Sequence, residues 1–284
     1  MREFFGYGGY TREPEGYMSW QHLTFVTTLM VIMVLLSVWL GKRNRNKTEK
    51  QKNKVLIVAA IAIDAFEILK IIVMCTRSDD PDTWTRLLPL FLCSIQLITI
   101  PLAAFSKGRL KESALDFVFI FGILGAVLGT YGAGQNYGSY PVLSIDNVVS
   151  GITHSISGFA SLYIVISDME SMKKKNIWIS FSILFGFCIS AYVANVLIPY
   201  NYMFLMAGDG TPYDIFYNLV NGNKVLYPMI VVGLFLLYIV SFYYAYYFFE
   251  KREQKNKRVK EKAQSFNVAA AIAVAEDGND NAQN

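Results

Sequence analysis

A chain of 284 residues has room for one large soluble domain or two small ones, but 54% apolar and only 17% charged residues suit neither, since ordinary globular proteins are about 25% charged. The 26 Lys and Arg gather in short runs between long uncharged stretches, so the formal net charge of +4 says less than its distribution. This excludes a soluble enzyme, a disordered chain and a disulfide-stapled secreted domain, and describes an integral, multi-pass membrane protein.

Residues 1–21 form an aromatic N-terminal segment that either joins an outer cap or lies in the membrane interface. Seven stretches, near 22–41, 55–76, 87–105, 114–132, 148–167, 177–199 and 227–249, have the roughly 20 apolar residues that a spanning helix needs. The expected fold class is therefore all-α, a polytopic bundle of seven transmembrane helices over residues 22–249. The loops after spans one, three, five and seven hold twenty Lys and Arg; the opposite side holds five (Arg2, Arg12, Arg77, Arg86 and Lys224), and Lys70 lies inside span two. Basic loops stay cytoplasmic, which puts the N-terminus outside and the C-terminus inside.

The basic cluster follows the first span and no small-x-small site is present, so that span is read as a lasting helix and not as a signal peptide. Residues 250–284 read as a basic, then polar, largely disordered cytoplasmic tail. The run KREQKNKRVKEK serves as a topology anchor and suits an anionic inner leaflet.

Several chemistries drop out. Cys75, Cys93 and Cys188 show no C-x-x-C spacing, and His22 and His154 are the only histidines, so no metal site is expected. No phosphate-binding or dinucleotide fingerprint suggests a cofactor, and no nucleic-acid partner is expected. A retinal protein needs a Lys in the last span, and there is none.

Ionisable and polar residues inside spans are costly and usually face a cavity or a partner. In span two, IDAFEILK sets Asp64, Glu67 and Lys70 on one helical face, where Glu67 and Lys70 can pair. In span three, LPLFLCSIQ puts Pro89 near a first helical turn and Cys93 and Gln96 on a shared face. Span four has Gly122, Gly125, Gly129 and Gly132 along one side, a close-packing seam to which no chemistry is assigned. In span five, SGITHSISGFAS places His154 within a stripe of Ser and Gly that must pack against protein.

Counted from the span boundaries, Cys93 and His154 lie at one depth, roughly 9 Å below the outer surface, with Glu67 and Lys70 near that level. A thiol becomes a good nucleophile when an imidazole takes its proton, and a carboxylate can hold the imidazole in the useful tautomer.

The ordered set DAFEILK, LPLFLCSIQ, YPVLSIDNVVSGITHS and IPYNYMFL resembles YwaF-type bacterial integral membrane proteins, which are similar to eukaryotic transmembrane protein 164. The resemblance runs from about residue 18 to 249, and LPL-x-x-C is its most specific part. It implies a compact helical bundle and, for the eukaryotic member, a membrane acyltransferase that moves acyl chains onto ether phospholipids, distantly similar to membrane hydrolases that use Thr; for the bacterial branch it implies no particular reaction. Carried over residue by residue, the nucleophile falls on Cys93 and the base on His154. Glu67 and Lys70 match an E-x-x-K, and Asn201 and Tyr202 match an NY segment.

The expected activity is a thiol acyltransferase or lipid hydrolase working through an acyl-Cys intermediate in the outer half of the bilayer, in the plasma membrane if bacterial. Its substrate would be a membrane phospholipid or another acyl lipid. Glu67 would orient His154, directly or through Lys70; Lys70 or Asn201 would contact phosphate or oxyanion, with Gln96 and Tyr202 as further orienting or substrate-binding residues. The alternative is a permease or lipid-binding membrane protein using the polar face of helices two, three and five.

Overall fold

The computed structural model describes residues 2–252, and every regular element among them is helical. In chain order these are α1 (Arg2–Phe5), α2 (Trp20–Asn44), α3 (Glu49–Arg77), α4 (Gln96–Phe105), α5 (Gly108–Tyr131), α6 (Gly134–Ser139), α7 (Ile145–Ile166), α8 (Ile177–Leu197), α9 (Asp214–Leu219) and α10 (Leu226–Arg252). The chain divides into two units, 1–236 and 237–284, and the second contributes only the later part of α10 to the described residues. The polar tail and most of the basic run lie outside the described residues.

Five helices among the described residues, α2, α5, α7, α8 and α10, are long and apolar enough to cross a membrane. α3 has the length, but Asp64, Glu67 and Lys70 interrupt its apolar run. The continuous helix expected over 87–105 is corrected. Only Gln96–Phe105 is helical there, about 15 Å of helix, and residues 88–95 form an irregular turn after a short 3₁₀ stretch, Thr83–Leu87. Pro89 accounts for the first residue of that turn: it holds Leu88 out of the helical region and offers no N–H of its own. Leu88 is extended at φ −63° and ψ 144°. Such backbone is tolerated at membrane depth only where protein covers it.

Local signals start the long helices where the sequence places them. The Ser19 hydroxyl accepts from the His22 N–H at 3.2 Å to cap α2, Gln51 reaches back to the Thr48 N–H at 3.3 Å at the start of α3, and the Ser144 hydroxyl accepts from the Asn147 N–H to cap α7.

α7 is the hub, packed on α2, α3 and α5. Its small stripe permits this. Ser157 and Ser161 donate to the Gly122 and Phe119 carbonyls of α5 at 3.3 and 2.8 Å, and a Cβ on Gly158 would lie 2.7 Å from that of Ala126. Leu56, Ala60 and Ile63 of α3, Ile100 and Ala103 of α4, Val118 of α5 and Tyr163 of α7 close the core around these contacts.

Polar ties hold both ends. Where α3 finishes and α7 begins, Arg77 grips Asp146 in a two-pronged ion pair at 2.6 and 2.7 Å, and Tyr10 donates to the same carboxylate at 2.6 Å. Tyr17 donates to the Tyr131 carbonyl at 2.8 Å and Glu15 accepts from the Val142 N–H at 2.7 Å. These contacts fasten the N-terminal segment to Tyr131, Val142 and Asp146.

At the other end, buried Asp116 accepts from the N–H groups of Ser171 and Met172 at 2.9 and 2.8 Å and so folds the loop after α7. In that loop Glu170 buries one carboxylate oxygen without a hydrogen bond. Burial, then the nearby Asp168 and Asp116 carboxylates, push its pKa up to about 7. The protonated form is therefore favoured by folding. Stability from this group is full at low pH and declines as pH rises from the ordinary carboxylate range, about 4.3, to about 7. Glu170→Gln should raise the unfolding midpoint at pH 8, leave it unchanged at pH 4 and flatten the slope between; denaturant unfolding across that window measures it.

Candidate active site

Cys93 stands in the turn that leads into α4. The turn is held by Ile95 N–H donating to the Phe91 carbonyl at 3.1 Å and Leu97 N–H to the Ser94 carbonyl at 3.0 Å. Among the described residues no oxygen accepts the N–H groups of Cys93 and Ser94, the orphan donors that a helix start leaves.

His154 projects from the middle of α7, and its Nδ1 lies 2.7 Å from the Ser150 carbonyl. A carbonyl can only accept, so Nδ1 carries the hydrogen and the basic lone pair of the neutral ring sits on Nε2. Nε2 is buried and has no completed hydrogen bond. The Cys93 thiol lies beside this ring and lines the same cavity, with no hydrogen bond closed between them. The other histidine differs. His22 accepts from the Met18 N–H at 3.1 Å and donates to the Thr130 carbonyl at 3.1 Å, so both its nitrogens are spent on structure.

The glycine seam of α5 seats both site residues. A Cβ on Gly129 would fall 1.8 Å from His154 Cδ2, and one on Gly125 would fall 3.7 Å from Cys93 Cα. The imidazole therefore lies in the space that a missing side chain leaves.

Cys93 and His154 share a cavity of about 40 Å³ with Glu67, Lys70, Ser94 and Thr153, backed by Ile63 and Leu97. That is room for about three or four water molecules, at roughly 10–15 Å³ each, and a lipid ester must open it further. Glu67 and Lys70 pair at 2.6 Å, with side chains 14% and 16% exposed. Asp64 does not line the cavity.

The other expected site residues lie elsewhere, and the orienting role of Glu67 needs correction. His154 is oriented by the Ser150 carbonyl of its own helix, because that acceptor is one turn away and already aligned with Nδ1. Gln96 is fully buried; its Oε1 accepts from the Thr99 hydroxyl at 3.0 Å, and it does not line the cavity. Asn201 is consumed by its own loop, donating to the Ala207 carbonyl and Asp209 at 2.7 Å each and accepting from the Met206 N–H at 2.8 Å.

Tyr202 touches the segment before Cys93. Its hydroxyl donates to the Thr85 carbonyl and accepts from the Leu88 N–H at 3.3 Å, and its ring meets Phe91 at 5.2 Å between centroids. It holds the turn and does not reach the cavity. Sequence reasoning missed Ser94, Thr153 and the Ser150 carbonyl. It also assigned only packing to Gly125 and Gly129, although their spacing of four put them on one face.

No curated protein and no solved structure matches the chain significantly. One family description does match, over residues 17–246, and so takes in the α3 pair, the Cys93 turn, the glycine seam and the His154 stripe together. A match over that much of its length means that this integral membrane chain belongs to the TMEM164 family.

Proposed function

We propose that the protein is a thiol-dependent lipid acyltransferase or acyl hydrolase. The observation that carries this is the tautomer: Ser150 takes the Nδ1 hydrogen, which leaves an unpartnered, buried Nε2 beside the Cys93 thiol. In this reading Nε2 accepts the thiol proton as sulfur attacks the carbonyl carbon of an acyl ester. The C–O bond breaks, the leaving alkoxide takes the proton from the imidazolium, and an acyl-Cys93 thioester remains. A lysolipid hydroxyl or water, deprotonated by Nε2, then attacks the thioester and restores the thiol.

The N–H groups of Cys93 and Ser94 in the turn before α4, which no backbone carbonyl accepts among the described residues, are suited to an oxyanion. Lys70, held by Glu67, supplies a cation for phosphate. The loose thiol–imidazole contact would tighten on a bound substrate.

The same reading takes the seven helical segments as spans, with α4 and its preceding turn crossing together. It sets the basic loops in the cytoplasm and the N-terminus and the loop 198–225 outside, in the plasma membrane if the cell is bacterial, because twenty basic residues lie on one side against five on the other.

The test uses the intact protein in native membranes and a hydrophobic thiol-reactive probe. Cys93 should label at least about tenfold faster than Cys75 or Cys188, since general-base assistance is worth about 10²–10⁴-fold. His154→Gln should remove that advantage, and Cys93→Ala should abolish ester cleavage or acyl exchange and shift the membrane lipid profile. Equal labelling of all three cysteines, together with unchanged lipid profiles in both variants, would return the pair to packing and leave a permease on the same charged face as the better reading.

A further inference from the structure

A second cavity lies away from the Cys93 site, between α8 and α10. It measures about 450 Å³, within the roughly 300–1,000 Å³ of small-molecule sites. Its walls are apolar: Phe185, Ile189 and Val193 on α8 and Met229 and Gly233 on α10, the four side chains each about half exposed or more. At the end where α10 begins stands Lys224, exposed and in no ion pair among the described residues.

Gly233 adds an independent observation. A Cβ there would meet nothing within 4 Å, so no neighbouring protein atom requires glycine in the interior of α10, where it weakens the helix. The space it leaves opens into the groove. Gly129 is the opposite case, since its vacancy is filled by His154.

We infer that this groove is a phospholipid site, with one acyl chain lying along α8 and α10 past Gly233 and the headgroup phosphate at Lys224. An apolar trough with a single cation at its end matches an amphiphile that carries its negative charge at one end. Because α8 and α10 are both long and apolar enough to span, the surrounding bilayer supplies that molecule. A soluble peptide would need polar partners along the trough, and its walls offer few. The bound lipid is not in the Cys93 cavity, and its binding does not depend on the reaction proposed there.

The experiment reconstitutes the full chain in vesicles of phosphatidylcholine and phosphatidylglycerol containing phosphatidylglycerol with a photoreactive acyl chain. Crosslinks should concentrate in residues 185–193 and 225–236 and exceed those on the exposed face of α2 around Val31 and Leu35. Gly233→Leu fills the trough and should lower groove labelling about tenfold, the equivalent of losing contact with about two methylenes, while labelling of α2 is unchanged. Lys224→Glu, at an exposed position that does not threaten folding, should lower groove labelling several-fold, more so at low salt. The inference is overturned if α2, α8 and α10 label equally, which would mean ordinary boundary lipid, or if Gly233→Leu labels like wild type.

Discussion

Replacing Gly129 with Ala should silence Cys93 in a protein that still folds. The new Cβ would sit 1.8 Å from Cδ2 and 2.0 Å from Nε2 of His154, too close for any real contact. α5 and α7 are packed along their length and cannot part, so the ring must swing. In doing so it breaks the 2.7 Å bond from Nδ1 to the Ser150 carbonyl and carries Nε2 away from the thiol. The energies nearly cancel: Gly→Ala inside a helix gains up to about 1 kcal/mol, and the lost hydrogen bond costs about 0.5–1.5 kcal/mol. The unfolding midpoint should therefore hardly move, while reactivity of Cys93 falls on the order of 10²-fold, the scale of a lost general base. Gly125→Ala is the control, since its Cβ would make an ordinary 3.7 Å contact with Cys93 Cα, and it should keep wild-type labelling. Wild-type labelling in Gly129→Ala would show that the ring does not rest on that seam.

Removing Arg77 should give the largest loss of stability. Arg77 and Asp146 are 12% and 5% exposed in their side chains and joined at 2.6 Å, and breaking a buried pair from one side costs about 3–5 kcal/mol. Arg77→Met leaves the carboxylate with only the Tyr10 hydroxyl as a side-chain partner. It also frees the Phe5 carbonyl, to which Arg77 donates at 3.2 Å. Asp146→Asn keeps hydrogen-bonding capacity and should lose less. Arg77→Met with Asp146→Leu should recover part of the loss, because two apolar groups leave no charge unpaired. Denaturant unfolding in detergent would show this order, and a double variant no better than Arg77→Met would contradict it. Lys70 lies two turns before Arg77 and His154 about two turns after Asp146, so the same pair sets the register of the two helices that carry the site. Cys93 reactivity should fall alongside stability in Arg77→Met.

How much of the site was legible in advance varies residue by residue. Glu67 and Lys70 could be paired from their spacing alone, because neighbours three apart on a helix meet whatever surrounds them, and they do meet at 2.6 Å. Cys93 and His154 were matched by depth, counting helical rise through residues 87–93, yet residues 88–95 are not helical. The two meet for another reason: the bare face of α5 admits the Cys93 turn at Gly125 and the imidazole at Gly129. Asn201 and Tyr202 sit side by side and part in function. One closes its own loop, and the other reaches the Thr85 carbonyl, 117 positions away.

Membrane embedding, the places of the helices and the polar stripe of α7 were determined by the sequence by itself. Each depends on hydrophobicity summed over one segment, or on the 100° turn between neighbouring residues, and needs no distant partner. Only the tertiary structure decided that the third segment is broken before Gln96, that the Ser150 carbonyl sets the tautomer of His154, and that Tyr202 holds the turn carrying Cys93. The physical reason is common to all three. An irregular backbone, a tautomer and a buttress exist only through hydrogen bonds and close contacts with particular atoms, and those atoms are supplied by the packing of α3, α4, α5 and α7 and the loop after α8.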